Sequence, residues 1–308
     1  MTGRLEVSGG VPVRRAVAAA DVTAAAAEPE VDPAAPAEEA FLTAVGRPRR
    51  DLAGGAQVRT DGVRTVDHRL HCTLDAMQAQ GAGSTSRPAM LFDLDGTLLD
   101  SVYQHVLAWR EALEAEGIEL SVWRIHRRIG MSGGLFVKAL TRETGHELTQ
   151  QDAERLKGLH ADAYRRRLDQ VRPLPGAREL LQALTTLGVP WAIATSGSDV
   201  TARPSLDALA IPAGVPVITR DQVDYAKPNP DLFLAAAAAL GVPAAGSFVV
   251  GDSVWDLLAA QRAGALGIGL LSGGYGREEL ERAGAYRVYE DPGDLLKHFD
   301  ELGIRAPE

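Results

Sequence analysis

Asp93 and Asp95 stand two positions apart at the end of a short apolar run, Ala89 to Phe92, with Gly96 and Thr97 directly after them. The run has the length and flanks of a buried strand, and side chains of an extended chain alternate, so both carboxylates lean the same way. Two carboxylates about 4 Å apart repel by about 4 kcal/mol at an effective dielectric of about 20. Keeping both ionised in a cleft therefore calls for a cation or a shared proton, as in a magnesium-dependent site. An Asx-capped turn would use the same residue types, so the rest of the chain has to decide.

Three further groups of polar residues follow apolar runs. Thr195-Ser196-Gly197-Ser198 is a hydroxyl-and-glycine turn opening a helix, which offers OH and backbone N–H groups to an anion or simply caps the helix. Lys227 precedes Pro228, whose ring biases it to extended backbone, and Pro230 and Asp231 open the next helix. It is either a solvated loop lysine or a cation aimed at the two acids. Val249-Val250-Gly251 reads as a strand ending where the backbone can turn sharply, leaving Asp252 at the tip and Asp256 one helical turn on.

The elements that must position these residues alternate. Strands are expected at 190–195, 215–219, 247–251, 267–271 and 286–289, with a helix in each gap among the first four and a final helix after the last. Strand–helix alternation predicts an α/β fold, a doubly wound parallel sheet whose ligands lie beyond the carboxyl ends of the strands. Residues from about 100 to 170 read as helical throughout, broken by Gly130-Met131-Ser132-Gly133-Gly134, with Asp100 or Ser101 as first N-cap and no convincing strand. This block is an insertion after the first strand.

The chain has 308 residues, 45% hydrophobic, with a net charge of −9. That balance disfavours nucleic acid, and no apolar run reaches the roughly 18 residues of a membrane span. Cys72 is the only cysteine, so neither an internal disulfide nor a thiolate zinc cluster can form, and a cytoplasmic setting is expected. No secretory signal is expected at the N-terminus, because Glu6, Arg14 and Arg15 interrupt any apolar stretch. Residues 1–88 lack Lys, Trp and Tyr and hold one of the aromatic residues Phe, Trp and Tyr, Phe41, so a largely disordered extension is expected. A partner-binding arm, or a native start at Met90, are the other readings.

Four motifs in this order, each with its strand context, resemble the haloacid dehalogenase superfamily: Asp93-x-Asp95-Gly-Thr, the hydroxyl of Thr195, Lys227, and Gly251-Asp252-x-x-x-Asp256. The resemblance spans about residues 89–308. It implies a Rossmann-like core over 89–104 and 173–308 with a small helical cap over 105–172. It also implies that Asp93 attacks phosphorus to give an aspartyl-phosphate and that Asp95 is the general acid and base. Mg²⁺ would be held by Asp93, the Asp95 carbonyl and Asp252, the phosphoryl oxygens by Thr195, Ser196, Gly197 and Lys227, and Asp256 would orient Lys227 or act through water. Dehalogenating and phosphonate-cleaving members lack an acid at the Asp95 position, so phosphoryl transfer is favoured.

The cap would supply substrate contacts. His105 followed by Ala108-Trp109 resembles the start of the cap in β-phosphoglucomutases and related sugar phosphatases, although a histidine on an amphipathic helix needs no such role. Met131, Ser132 and Lys138 are further specificity candidates, the first two on a flexible Gly-rich loop. Mutases grip a second phosphate with a cap-loop Arg and a Lys after the second motif. Neither is visible at Gly130–Gly134 or at Ser198-Asp199, with Arg127, Arg128 and Lys138 as replacements. The expectation is thus a hydrolase of a small phosphomonoester, such as a sugar phosphate or phosphoglycolate, with no obligate protein partner. A sugar-phosphate mutase and a non-catalytic phosphometabolite sensor are the alternatives.

Overall fold

A computed structural model describes residues 88–145 and 147–304, so the expectations for residues 1–87 lie outside the described residues. Among the described residues a six-stranded parallel sheet has the order β5-β4-β1-β6-β7-β8. Its strands are β1 (Met90–Phe92), β4 (Trp191–Ala194), β5 (Val217–Ile218), β6 (Phe248–Gly251), β7 (Leu266–Leu270) and β8 (Ala285–Tyr289). β1 lies centrally, with Leu91 opposite Ala192 on one side and Val249 on the other.

Alternation along β1 supplies both faces of the core. Met90 and Phe92 pack with Ile193, Val250 and Ile268, under α5 (Ala177–Leu187) and α10 (Pro292–Lys297) through Leu180, Leu184 and Leu295. Leu91 faces the other way, with Ala192 and Val249 against Leu232, Phe233 and Ala236 of α7 (Asp231–Ala239) and Ala259 and Ala260 of α8 (Val254–Ala263). With both faces covered, the central strands β1, β4 and β6 are buried at every position, which is why they read as uninterrupted apolar runs.

Between β1 and α5 the chain runs through α1 (Val102–Ala115), α2 (Val122–His126), α3 (Gly133–Thr144) and α4 (Gln150–Arg165). Val106, Trp109, Leu113, Ile125, Phe136, Leu140 and Leu156 form their shared core, which continues into Val254, Trp255 and Leu257 of α8. The chain leaves along β2 (Leu99–Asp100) and returns along β3 (Arg172–Pro173), and the two pair antiparallel. Two residues each are too few for a periodic signal, so this ribbon was not foreseen. Nor was α9 (Arg277–Arg282), which packs Leu280 inward. α6 (Asp199–Leu206) follows the turn after β4.

Two local expectations are corrected. Gly133 and Gly134 belong to the first turn of α3, not to a flexible loop: Ser132 is its N-cap and accepts a bond from the Leu135 N–H, at 3.3 Å. Glycine costs about 1 kcal/mol relative to alanine in a helix, and burial of Phe136, Val137 and Leu140 outweighs it. Gly251 is not required for a sharp turn either, since its φ is not positive; a Cβ there would lie 2.2 Å from Cβ of Asp256.

Candidate active site

The tips of three strands and one loop meet beyond the carboxyl edge of the sheet. Asp93 extends β1 by one residue, its N–H donating to the Val250 carbonyl at 2.9 Å, and Asp252 follows β6 in the same way. Asp93, Asp252 and Asp256 each present an oxygen, all within 4.8 Å of one another, and all three residues are buried. Lys227, with no exposed surface, pairs through Nζ with Asp93 and, at 2.8 Å, with Asp256. The second oxygen of Asp256 accepts from the Ser253 N–H and hydroxyl, at 3.1 and 2.6 Å, so Asp256 is fully engaged in holding Lys227 and the start of α8.

Three carboxylates against one ammonium leave two negative charges in excess. Burial pushes the Asp93 carboxyl up to about 7, against the pull of Lys227 and with the push of Asp256. Burial, then Asp256 and Asp93, hold Asp252 well above the carboxylate range. Burial opposes the charge on Lys227, and its two carboxylate partners outweigh it, so its pKa is raised. A divalent cation would neutralise the excess, and an all-oxygen donor set suits a hard ion.

Backbone closeness around Asp252 fits the same reading. The Thr97 hydroxyl donates to its Oδ1 at 2.9 Å, while a Cβ on Gly96 or Gly273 would lie 2.5 or 1.8 Å from its Oδ2. Gly96 also has φ +84°, a left-handed conformation that favours glycine. Ser272 donates to the Gly96 carbonyl at 2.6 Å, tying the loop after β7 to the turn after β1.

Asp95 faces a different set of groups. The Ser101 hydroxyl donates to its Oδ1 at 2.6 Å and His105 Nε2 approaches the same oxygen at 3.2 Å. Burial would raise this carboxyl, but the charge and hydrogen bond of His105, with that of Ser101, carry it below its ordinary value. Ser101 is the N-cap of α1 by position, yet its hydroxyl makes no capping bond because it serves Asp95.

A cavity of about 590 Å³ opens over these residues, lined by Asp93, Asp95, His105, Trp109, Met131, Phe136, Thr195, Ser196 and Gly197 among others. Thr195 Oγ1 accepts from the Gly197 N–H at 2.9 Å, shaping the turn, and Ser196 donates to the Gly130 carbonyl at 3.0 Å. Ser132 is buried, and its N–H donates to the Lys227 carbonyl at 3.2 Å.

Lys138 is exposed and is not among the residues that line this cavity. Arg127 is also diverted, pairing with Glu279 and stacking on Tyr275. Arg128, one of the three candidate replacements for the mutase cations, lines the cavity, and so do Lys157 and Arg220, which the sequence did not single out. Arg128 pairs with Glu143 and Lys157 with Glu154, and Arg220 donates to the Val223 carbonyl.

Residues 88–264 match the haloacid dehalogenase-like hydrolase family, 57% of the chain counted as 177 of 308 residues. The chain belongs to that family. A crystal structure of a hydrolase from Pseudomonas syringae is 57% identical, covering 70% of this haloacid dehalogenase-like chain and 99% of its own, with a TM-score of 0.69. Phosphoglycolate phosphatase of Caulobacter vibrioides is 33% identical over 219 residues, 70% of this chain and 92% of the relative. Hexitol phosphatase A of Escherichia coli is 33% identical over 176 residues, 56% of this chain and 78% of the relative.

Among the described residues no helix is long and apolar enough to cross a membrane.

Proposed function

We propose that this haloacid dehalogenase-like hydrolase is a Mg²⁺-dependent phosphatase of small phosphomonoesters, with Asp93 as nucleophile and Asp95 as general acid and base. The observation that carries the reading is the division of labour between two carboxyls on one cavity. Asp93 sits in the metal-suited cluster with Lys227, and Asp95 is held apart by Ser101 and His105. Acid–base chemistry at one centre needs such unlike environments. The phosphatase activities named for the similar proteins support the reaction class.

Asp93, Asp252 and the Asp95 carbonyl would hold the ion. When bound, it supplies positive charge that keeps Asp93 ionised and screens the phosphate dianion from it. Asp93 then attacks phosphorus in line, forming its acyl-phosphate as the ester P–O bond breaks. Thr195, the Ser196 and Gly197 turn and Lys227 hold the phosphoryl oxygens. Asp95 gives the departing alkoxide a proton that reaches Oδ1 across the 3.2 Å contact from His105 Nε2. In the second half Asp95 takes a proton from water attacking the acyl-phosphate and passes it back to His105 Nε2, releasing inorganic phosphate and restoring Asp93, Asp95 and His105.

Helices α1 to α4, between the β2 and β3 ribbon, act as the cap over 105–172, with His105, Trp109, Met131 and Phe136 facing the leaving group. At about 590 Å³ the cavity has room for a sugar or polyol phosphate as well as for phosphoglycolate.

The test is phosphate release with Mg²⁺ from phosphoglycolate, hexitol, hexose and pentose phosphates and nucleoside monophosphates. Release from one compound far above the rest is expected. Isomerisation of β-glucose 1-phosphate without release would replace the reading with a mutase, and inertness towards all would replace it with a sensor.

A further inference from the structure

His105 and His160 form a contact that the mechanism above does not use. They lie 55 residues apart, on α1 and α4, and His105 Nδ1 approaches His160 Nε2 at 3.1 Å while Nε2 of His105 faces Asp95. Each helix carries a histidine and an aromatic residue four positions apart, His105 with Trp109 and His160 with Tyr164, which places both members of each pair on one face. The pairs cross. His105 stacks on Tyr164, with centroids 3.8 Å apart and planes 6° apart, and His160 stacks on Trp109 at 4.3 Å and 18°.

Stacking fixes the plane of each ring but leaves rotation within that plane, and a flip of His105 would exchange its nitrogens for carbons. The bond to Nδ1 removes that freedom. Burial, and then the charge of His105, hold His160 well below the usual histidine pKa, so it is neutral and its Nε2 can accept.

We propose that His160 is a positioning residue that acts through His105: by accepting the Nδ1–H it keeps the Nε2–H directed at Oδ1 of Asp95. This inference rests on the phosphatase reading, in which Asp95 protonates the leaving oxygen. An aligned Asp95 matters most when the leaving group is a poor one, because a stable anion departs without a proton. The dependence of rate on leaving-group acidity therefore reports the alignment, whereas general loosening of the fold would slow all substrates alike.

The experiment compares phenyl phosphate with p-nitrophenyl phosphate, similar in shape and different in leaving-group acidity, in the full-length Mg²⁺-loaded enzyme. His160→Phe keeps a ring against Trp109 and removes the acceptor; His160→Gln offers an amide oxygen in its place. The expected result for His160→Phe is a loss of roughly tenfold or more in kcat/KM for phenyl phosphate, with little change in kcat/KM for p-nitrophenyl phosphate; kcat/KM ends at phosphoryl transfer to Asp93, before the hydrolysis that both esters share. His160→Gln should recover most of the loss, and His105→Asn combined with His160→Phe should be no worse than His105→Asn alone, since both act through one chain of bonds.

An equal loss of kcat/KM on both esters, or none on either, in a variant whose Tm matches the parent would overturn the proposal. The same rise in KM for both esters at unchanged kcat would also overturn it, because His160 would then touch substrate directly. If the unaltered enzyme releases phosphate from neither ester nor from any alkyl phosphate, the phosphatase reading itself fails and takes this inference with it.

Discussion

Asp93 and Asp95 are two residues apart in sequence, yet one belongs to the sheet and the other to the helices. Asp93 is fixed by strand tips and by Lys227, a buried ammonium already bound to Asp256, in a cluster with too much negative charge. Asp95 is fixed by Ser101 and His105, both on or beside α1, and behind His105 stands His160 on α4. The carboxyls are accordingly displaced in opposite directions, Asp93 up to about 7 chiefly by burial and Asp95 down by its partners. One short motif thus provides two groups of unlike chemistry because its ends are held by different layers of the fold.

The contrast can be broken from either side. Asp93→Asn removes the nucleophile at nearly constant shape, and kcat should fall by about three orders of magnitude or more with the Tm little changed. Lys227→Met strips the buried carboxylates of their ammonium. Urea unfolding of the metal-free protein should show a loss of about 3–5 kcal/mol, the scale for breaking a buried ion pair. His105→Asn attacks the other side, with a loss of roughly ten- to a hundredfold in kcat/KM confined to esters with poor leaving groups.

Acid sharpens the same comparison through stability. A group whose folded pKa is raised binds more protons folded than unfolded, so Asp93 makes the metal-free protein less stable as pH rises from about 4 to 7, and Asp252, also raised, acts in the same direction. Asp95, lowered on folding, has the opposite sign, and its contribution is lost as pH falls through its folded value. Because a bound dication must displace the raised protons, the Tm gain from Mg²⁺ should be larger at pH 8 than at pH 5.5. EDTA should abolish both the gain and turnover. A gain independent of pH would contradict the proton inventory of the cluster. The smallest effect is expected from deleting residues 1–87, since the site is assembled from residues 93–275, and kcat should change less than about twofold.

The strand-tip half of the site was legible in the sequence because each part is local. Asp93 and Asp252 directly follow apolar runs, Asp256 stands one helical turn after Asp252, and the order of motifs supplied what no single run could. The doubly wound sheet was legible for the same reason, as strands buried on both faces read as continuous apolar stretches. The helical half was not. His105 is visible as a residue, but its link to His160 spans 55 positions and depends on how α1 meets α4. Ser101 read as a helix cap, and nothing local shows that its hydroxyl turns to Asp95. Lys138 read as a candidate replacement for the mutase cations, whereas helical phase turns it to solvent and Lys157, from another helix, lines the cavity. Gly273 carried a usable sign, a Ser-Gly-Gly run at the carboxyl end of a strand, where ligands gather.

The central claim is that Asp93 carries the phosphoryl group and Asp95 moves the proton. It is tested most directly by acid-quenching Asp95→Asn after exposure to acetyl phosphate, whose leaving group needs no proton, and weighing the peptides. The account predicts one phosphoryl group on the peptide containing Asp93, persisting because the base that would activate water is gone, and none when Asp93→Asn is added. A phosphoryl group on any other residue, or undiminished phosphate release by Asp93→Asn, would contradict it.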